Sequence, residues 1–476
     1  MTRRVVRVQH ADGDTLRDGI AAIREEMEVR EEFRPDIEAS AQVAAGKPKL
    51  PNLDRTDIPF ITIDPASSLD LDQALHIERD KGGYVVYYAI ADVASFVEPG
   101  SPLDREAHCR GQTLYGADSK IPLHPKVLSE DAASLVAEQV RPALLWTIKV
   151  DSMGEGTDVN VERARVRSRA KLDYAGVQEH IDKGTAPEMF ALLQEVGTLR
   201  QRRETDRGGI SLPLPEQEIT IDDNKWSLEF RKALPVEEWN AQISLLTGMA
   251  AADMMVRAKI GILRTLPEPE QHSVDRLRHT AKALKVDWPK GQRYDAMIRN
   301  LDPAKPNHAA MVVASTTLLR GSGYVGFNGT VPEHPEHSAI ASTYAHVTAP
   351  LRRLVDRYAG EICLAISAGQ PVPEWVKIKL DEVPEVMQES GRQANKYENA
   401  ILNLVEARVL RTRVGEAFAG VVVQADGEDP TKGDVVIDEP AIEANITSSK
   451  PLPVGNDVHV TLVEANVKTR VVTFEM

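Results

Sequence analysis

The pattern of apolar and polar positions divides the 476-residue chain into three textures. Residues 1 to about 50 mix charge with apolar positions at helical spacing, as in IAAIREEMEVREEF. The segment GKPKLPNLDRTDIP is rich in breakers and reads as a linker. From residue 60 to 98 the pattern turns to strands, in FITID, ALHIE and YVVYYAIADV. The last of these is too uniformly apolar for a one-sided surface strand, so it is expected at the centre of a sheet. ALLWTIKVD and VNVERARV predict further strands.

Helices follow. PEMFALLQEVGTLRQRRE is amphipathic, and VEEWNAQISLLTGMAAADMMVRAKI is apolar almost all round, which predicts a buried helix. SVDRLRHTAKALKV predicts a helix with Ser273 as its N-cap. HAAMVVASTTLLRG runs to Gly321, a C-cap residue. A further helix is expected to begin near Pro350, and the run from about 376 to 414 is again helical. At about residue 415 the texture changes to short alternating strands, FAGVVVQ, DVVIDE, AIEANIT, DVHVTLVEA and RVVTFE, the pattern of a small antiparallel barrel. The expected architecture is α+β: a small helical unit over 1–56, a central mixed or antiparallel sheet wrapped by helices over 57–414, and a five-stranded barrel over 415–476.

Composition narrows the function classes. A chain of this length exceeds one ordinary core. Two cysteines, Cys109 and Cys363, provide neither a disulfide framework nor metal-ligand spacing. The N-terminus lacks the apolar core of a secretory signal, and no segment approaches the roughly 18 to 20 apolar residues of a membrane span, so a soluble cytoplasmic protein is expected. The formal charge of −15 argues against unspecific coating of nucleic acid. It leaves room for a nucleic-acid enzyme with a locally basic track. Arginines cluster at 163, 165, 167 and 169, at 200, 202 and 203, at 352 and 353, and at 408, 411 and 413; most such clusters are solvated helix faces unless a common channel gathers them. There is no phosphate-binding loop, no His-Glu-x-x-His helix and no Gly-x-Ser-x-Gly elbow. An EF-hand starting at Asp64 fails at Ala66 and Leu69.

Two segments carry candidate chemistry. TIDPASSLDLDQAL, residues 62–75, places Asp64, Asp70 and Asp72 among apolar neighbours. Carboxylates this close repel unless a cation or a proton neutralises them. Magnesium takes oxygen ligands of this kind and keeps waters and phosphate oxygens as well. The plainer reading is an acidic loop that caps turns. YAHVTAPLRRLVDRY, residues 344–358, offers Arg352 and Arg353, whose planar donor forks match phosphate. The plainer reading there is an arginine pair bonded to Asp356 or Glu361 on its own helix.

Together these segments resemble the RNase II family of exoribonucleases, built on the RNB catalytic domain. The family's aspartate signature stands here as TIDPASSLDLDQAL and its helix signature as YAHVTAPLRRL. Between them lie YAIADVASFVEPGSPLDREA, LYGADSKIPLHPKVLSEDAASL, RARVRSRAKLDYAGV and RGGISLPLPE in matching order, so the resemblance covers roughly residues 57–410. It implies an RNB-type catalytic domain followed by a C-terminal OB-fold. It also implies a magnesium-dependent enzyme that removes nucleotides from the 3′ end of single-stranded RNA and releases nucleoside 5′-monophosphates. By motif position Asp64, Asp70, Asp72 and Gln73 stand at the metal. Arg352 matches the arginine on the terminal phosphate, with Arg353 beside it on the RNA, and Tyr115 matches the aromatic that stacks on the 3′-terminal base. Base stacking of this sort is worth about 1–3 kcal/mol and tolerates any sequence. A monomer without a nicotinamide or flavin cofactor is expected.

The departures from the family are specific. Gln73 stands where the signature has a fourth acid, which removes a charge and keeps open an alternative: a catalytically weak RNA-binding regulator on the same fold. Val347 and Ala349 replace the usual Phe and Ser, Gly360-Glu361 replaces a His-Arg, and Leu212 stands where an aromatic is common. Fewer than about sixty residues precede the matching region, too few for two cold-shock barrels. A helical unit, such as a helix-turn-helix or winged helix, is expected there. The C-terminal barrel has only Phe418 and Phe474 as aromatics, which favours backbone contacts to RNA over stacking.

Overall fold

The strand Gly156–Asp173 is long enough to pair with two neighbours, and this turns the expected central sheet into a closed barrel. Its first part runs antiparallel to Val140–Asp151, from Val150↔Gly156 to Val140↔Arg167. Its last part runs parallel to Phe60–Asp64, from Phe60↔Ser168 to Asp64↔Asp173. Gln73–Asp80 and Gly83–Ala91 complete the ring. Gly83–Ala91, the uniformly apolar segment, lies between Gln73–Asp80 and Val140–Asp151, the central position its composition predicts. Alternate residues along these strands serve different cores. Leu75, Ile77, Tyr88 and Trp146 pack with the helices Pro235–Ala258 and Leu354–Ser367. Ala74, Ala89, Ala143 and Ala164 join a second cluster with Phe60, Leu128 and Leu351. The computed structural model describes residues 14–117, 119–214, 216–222 and 225–476.

The C-terminal segment closes into its own five-stranded barrel, in the order Ala417–Ala425, Lys432–Ile437, Ile442–Thr447, Val471–Glu475, Asp457–Asn466. This is the expected OB-type barrel. Its two aromatics, Phe418 and Phe474, are buried against each other edge to face, so neither offers a ring to a base.

Among the described residues, the two N-terminal helices pack into the body in different hydrophobic clusters. Leu16, Ile20 and Ile23 of the helix Asp14–Glu26 meet Tyr397, Ile401 and Leu404 of the long helix Glu382–Leu410, together with Leu114 and Ile121. Ile37 and Ala41 of Pro35–Ala45 belong instead to the cluster around Phe60. The first thirteen residues of the expected N-terminal unit lie outside the described residues.

Two helix starts differ from expectation. The helix expected from Pro350 begins at Leu354, with Arg353 as its N-cap residue. The preceding residues are drawn into pairing with the chain at 111–113: the Thr113 amide donates to the Arg352 carbonyl (3.0 Å), and the Leu354 amide donates to the Gly111 carbonyl (2.9 Å). The helix expected to be capped by Ser273 starts at Gln271, and the Ser273 amide already bonds to the Glu270 carbonyl (2.9 Å).

Candidate active site

The acidic segment leaves the barrel at Asp64, the last residue of its strand, and returns at Gln73, the first residue of the next. The connection is clamped between two neighbours. The Leu71 amide donates to Ser134 Oγ (2.9 Å), Ser134 Oγ donates to the Leu69 carbonyl (2.7 Å), and the Ala91 amide donates to the Asp72 carbonyl (2.9 Å). The arginine segment is brought to it by the helix Pro235–Ala258. Gly248 in that helix lets the chain at 344–345 approach: a Cβ there would lie 2.2 Å from the Tyr344 ring and 2.6 Å from the Ala345 carbonyl oxygen. The Ala345 amide bonds to the Gly248 carbonyl (3.1 Å). The two motifs then meet: the Leu351 amide donates to Asp72 Oδ1 (2.8 Å), and Arg352 Nε lies 3.6 Å from Asp72 Oδ2.

The three aspartates have different surroundings. Asp72 is buried, and burial pushes its carboxyl well above the ordinary carboxylate range; Arg352 and the Leu351 amide oppose this. Asp64 keeps Oδ2 buried without a hydrogen bond, and burial pushes its pKa up from 3.8 to about 6, with Arg352 and Lys171 opposing and Asp70 adding. Asp70 instead accepts from Lys120 Nζ at 2.6 Å, and the same ammonium lies 3.1 Å from Glu130. Desolvated carboxylates of this kind fit a hard divalent cation. Among the described residues no three Asp, Glu, His or Cys side chains converge as a ready metal cage. One or two carboxylates completed by water and phosphate oxygens is a usual way to hold magnesium.

Gln73 is bound in both directions: Nε2 donates to the Thr348 carbonyl (2.7 Å), and Oε1 accepts from the buried Tyr88 hydroxyl. The arginines divide their roles. Arg353 makes two 2.8 Å bonds to Asp356, whose side chain is 0% exposed and also accepts from the Ala349 amide at 2.7 Å. Arg352 is 44% exposed and turned toward Asp72. The same-helix pairing therefore holds for Arg353 and not for Arg352. Tyr115 stands on the short strand Leu114–Tyr115, opposite Lys120. Burial holds its hydroxyl above its ordinary range, with Arg352 opposing and Asp70 and Asp72 adding, so it lies in the electrostatic field of the site.

Other basic clusters are largely committed within the protein. Arg163 pairs with Asp92 and Glu361, Arg165 with Asp54, Arg203 with Glu155 and Arg413 with Glu416. Arg163 to Arg169 lie on a strand, in line with the strand predicted for VNVERARV, and not on a helix face. Sequence reasoning did not single out Lys120, Glu130, Tyr88 or Thr348. Lys120 is 50 residues from Asp70 and Thr348 is 275 from Gln73, so no local spacing announces either contact.

Comparison with known proteins shows the family. The RNB domain profile matches residues 53–366, and the profile of the RNase II-type exonuclease C-terminal S1 domain matches residues 416–476. The chain is 26% identical over 464 residues to Ribonuclease R of Escherichia coli (strain K12), covering 90% of this chain and 56% of that protein. It is 28% identical over 347 residues to the probable exosome complex exonuclease RRP44 of Caenorhabditis elegans, covering 69% of this chain and 35% of that one. The chain thus spans 35% to 56% of the length of these curated relatives. Among solved structures, Mycoplasma genitalium RNase R in complex with ribose methylated single-stranded RNA matches with a TM-score of 0.86 at 19% identity, over 98% of this chain and 79% of that one. Yeast Ssd1, described as a pseudonuclease, matches with a TM-score of 0.71 at 15% identity, over 91% of this chain and 56% of that one. With an RNB profile over residues 53–366, more than half of its length, and an S1 profile over residues 416–476, the chain belongs to the RNB-domain family of RNase II-type proteins.

Proposed function

We propose that this chain is a magnesium-dependent 3′-to-5′ exoribonuclease that hydrolyses single-stranded RNA and releases nucleoside 5′-monophosphates, acting as a cytoplasmic monomer. The observation that carries the reading is the approach of Arg352 to the buried Asp72, 3.6 Å across 280 positions of sequence. A bound divalent cation would supply Lewis-acid polarisation of the phosphate and a water of lowered pKa. Asp64 and Asp72 would hold it. Asp72 also orients what lies beside it, because the Leu351 amide fixes one of its oxygens. Arg352, half-exposed, can place its planar donors on the scissile phosphate and offset charge that builds there. Arg353, locked onto Asp356, holds the turn that presents Arg352. Tyr115 supplies a ring for the 3′-terminal base. No protein nucleophile is needed.

Gln73 favours a second reading, an RNA-binding regulator of low turnover, since it removes one acidic charge from the signature. Incubation with 3′-labelled oligoadenylate, with and without magnesium, separates the two. Label released as mononucleotide, lost in Asp72→Asn while RNA binding persists, supports the enzyme. Tight binding without release supports the regulator. Asp72→Asn degrading RNA at the wild-type rate would refute this assignment of the site.

A further inference from the structure

The acidic loop is met by a positive charge from another element. Lys120 Nζ lies 2.6 Å from Asp70 and 3.1 Å from Glu130, with all three side chains mostly shielded: 22%, 14% and 16% exposed. The lysine is held in place by the two-stranded hairpin in which it faces Tyr115. The turn of that hairpin is itself anchored, since Arg24 Nη2 donates to Ser119 Oγ at 2.7 Å. The ammonium therefore sits where a second cation would otherwise be needed to neutralise Asp70.

Resting on the nuclease reading, we propose that Lys120 replaces a second divalent ion beside Asp70, so that the site works with a single metal ion held by Asp64 and Asp72. A further observation points the same way. Gln73 is neutral, and its amide is engaged by Thr348 and Tyr88, so it adds no charge for a second ion.

Manganese binding to the full chain, counted by titration with Mn2+ alone at pH 8, tests this without reference to turnover. The wild type should bind one Mn2+ in the site, and Lys120→Arg should also bind one. The double variant Lys120→Met, Gln73→Asp, shown by its unfolding curve to be folded, should bind two. Two ions in the wild type, whatever the variants do, would overturn the proposal. So would a single ion in the folded double variant. The RNA-release assay on the same wild-type sample keeps the two readings apart. One ion with no mononucleotide release overturns the nuclease and leaves the ion count standing; release with two ions does the reverse.

Discussion

Asp64 is in an unfavourable place for a charge when no cation is bound, and Asp64→Asn should expose this as stability. In the folded protein its pKa is pushed from 3.8 up to about 6, chiefly by burial. Between those values the folded protein holds a proton that the unfolded chain has released. Raising the pH through this window therefore costs the wild type stability. The interval from 3.8 to about 6 corresponds to at most about 3 kcal/mol, at roughly 1.4 kcal/mol per factor of ten in the equilibrium. Asparagine carries no such penalty. Any constant cost of placing an amide there cancels when the two proteins are compared across pH. In EDTA, the stability of Asp64→Asn relative to wild type should therefore improve by up to about 3 kcal/mol from pH 4 to pH 8, with most of the change between about 4 and 6. Urea unfolding of both proteins at several pH values measures it. Adding magnesium at pH 8 should narrow the gap, because only the wild type retains the carboxylate that recovers its cost by binding. A pH-independent difference, or one that runs in the opposite direction, would refute the placement of Asp64 as a desolvated, cation-seeking carboxylate.

The neighbouring residues give sharper contrasts. Arg352→Lys should lower kcat on oligoadenylate by about 100-fold, since a point charge replaces a fork of donors, while stability shifts by less than about 0.5 kcal/mol at this half-exposed position; wild-type kcat would remove Arg352 from the phosphate. Arg353→Ala should do the opposite, costing about 3–5 kcal/mol of stability because Asp356 is left buried without its partner; an unfolding midpoint equal to wild type would contradict that. Tyr115→Ala should weaken RNA binding by about 1–3 kcal/mol, read as a rise in KM, and Tyr115→Phe should restore it; an unchanged KM in the alanine variant would return Tyr115 to a purely structural role.

The fold was legible wherever local pattern decides it. The uniformly apolar Gly83–Ala91 had to be central, and the alternating strands after residue 415 had to form a small barrel. Closure of the catalytic sheet was not legible, because it depends on Gly156–Asp173 serving two partners in opposite directions. The helix start near Pro350 was misplaced for a similar reason: the pairing of 352–354 with 111–113 is long-range and outweighs proline's local preference. At the site, Asp64, Asp70, Asp72 and Arg352 were visible as motif residues and lie together in the structure. The separation of Arg352 from Arg353 was invisible in the sequence. It is set by Asp72 on one side and Asp356 on the other, and only the fold places Asp72 there. Lys120 was hidden because its acidic partner is 50 residues away on a different element.

The most direct test is a crystal structure of the wild-type protein soaked with Mn2+ and an oligoadenylate whose 3′-terminal linkages are non-hydrolysable. The anomalous signal of manganese should appear beside Asp64 and Asp72, with the last phosphodiester of the strand against the Arg352 guanidinium and the terminal base at Tyr115. Manganese bound elsewhere, or a 3′ end seated away from Arg352, would contradict the account.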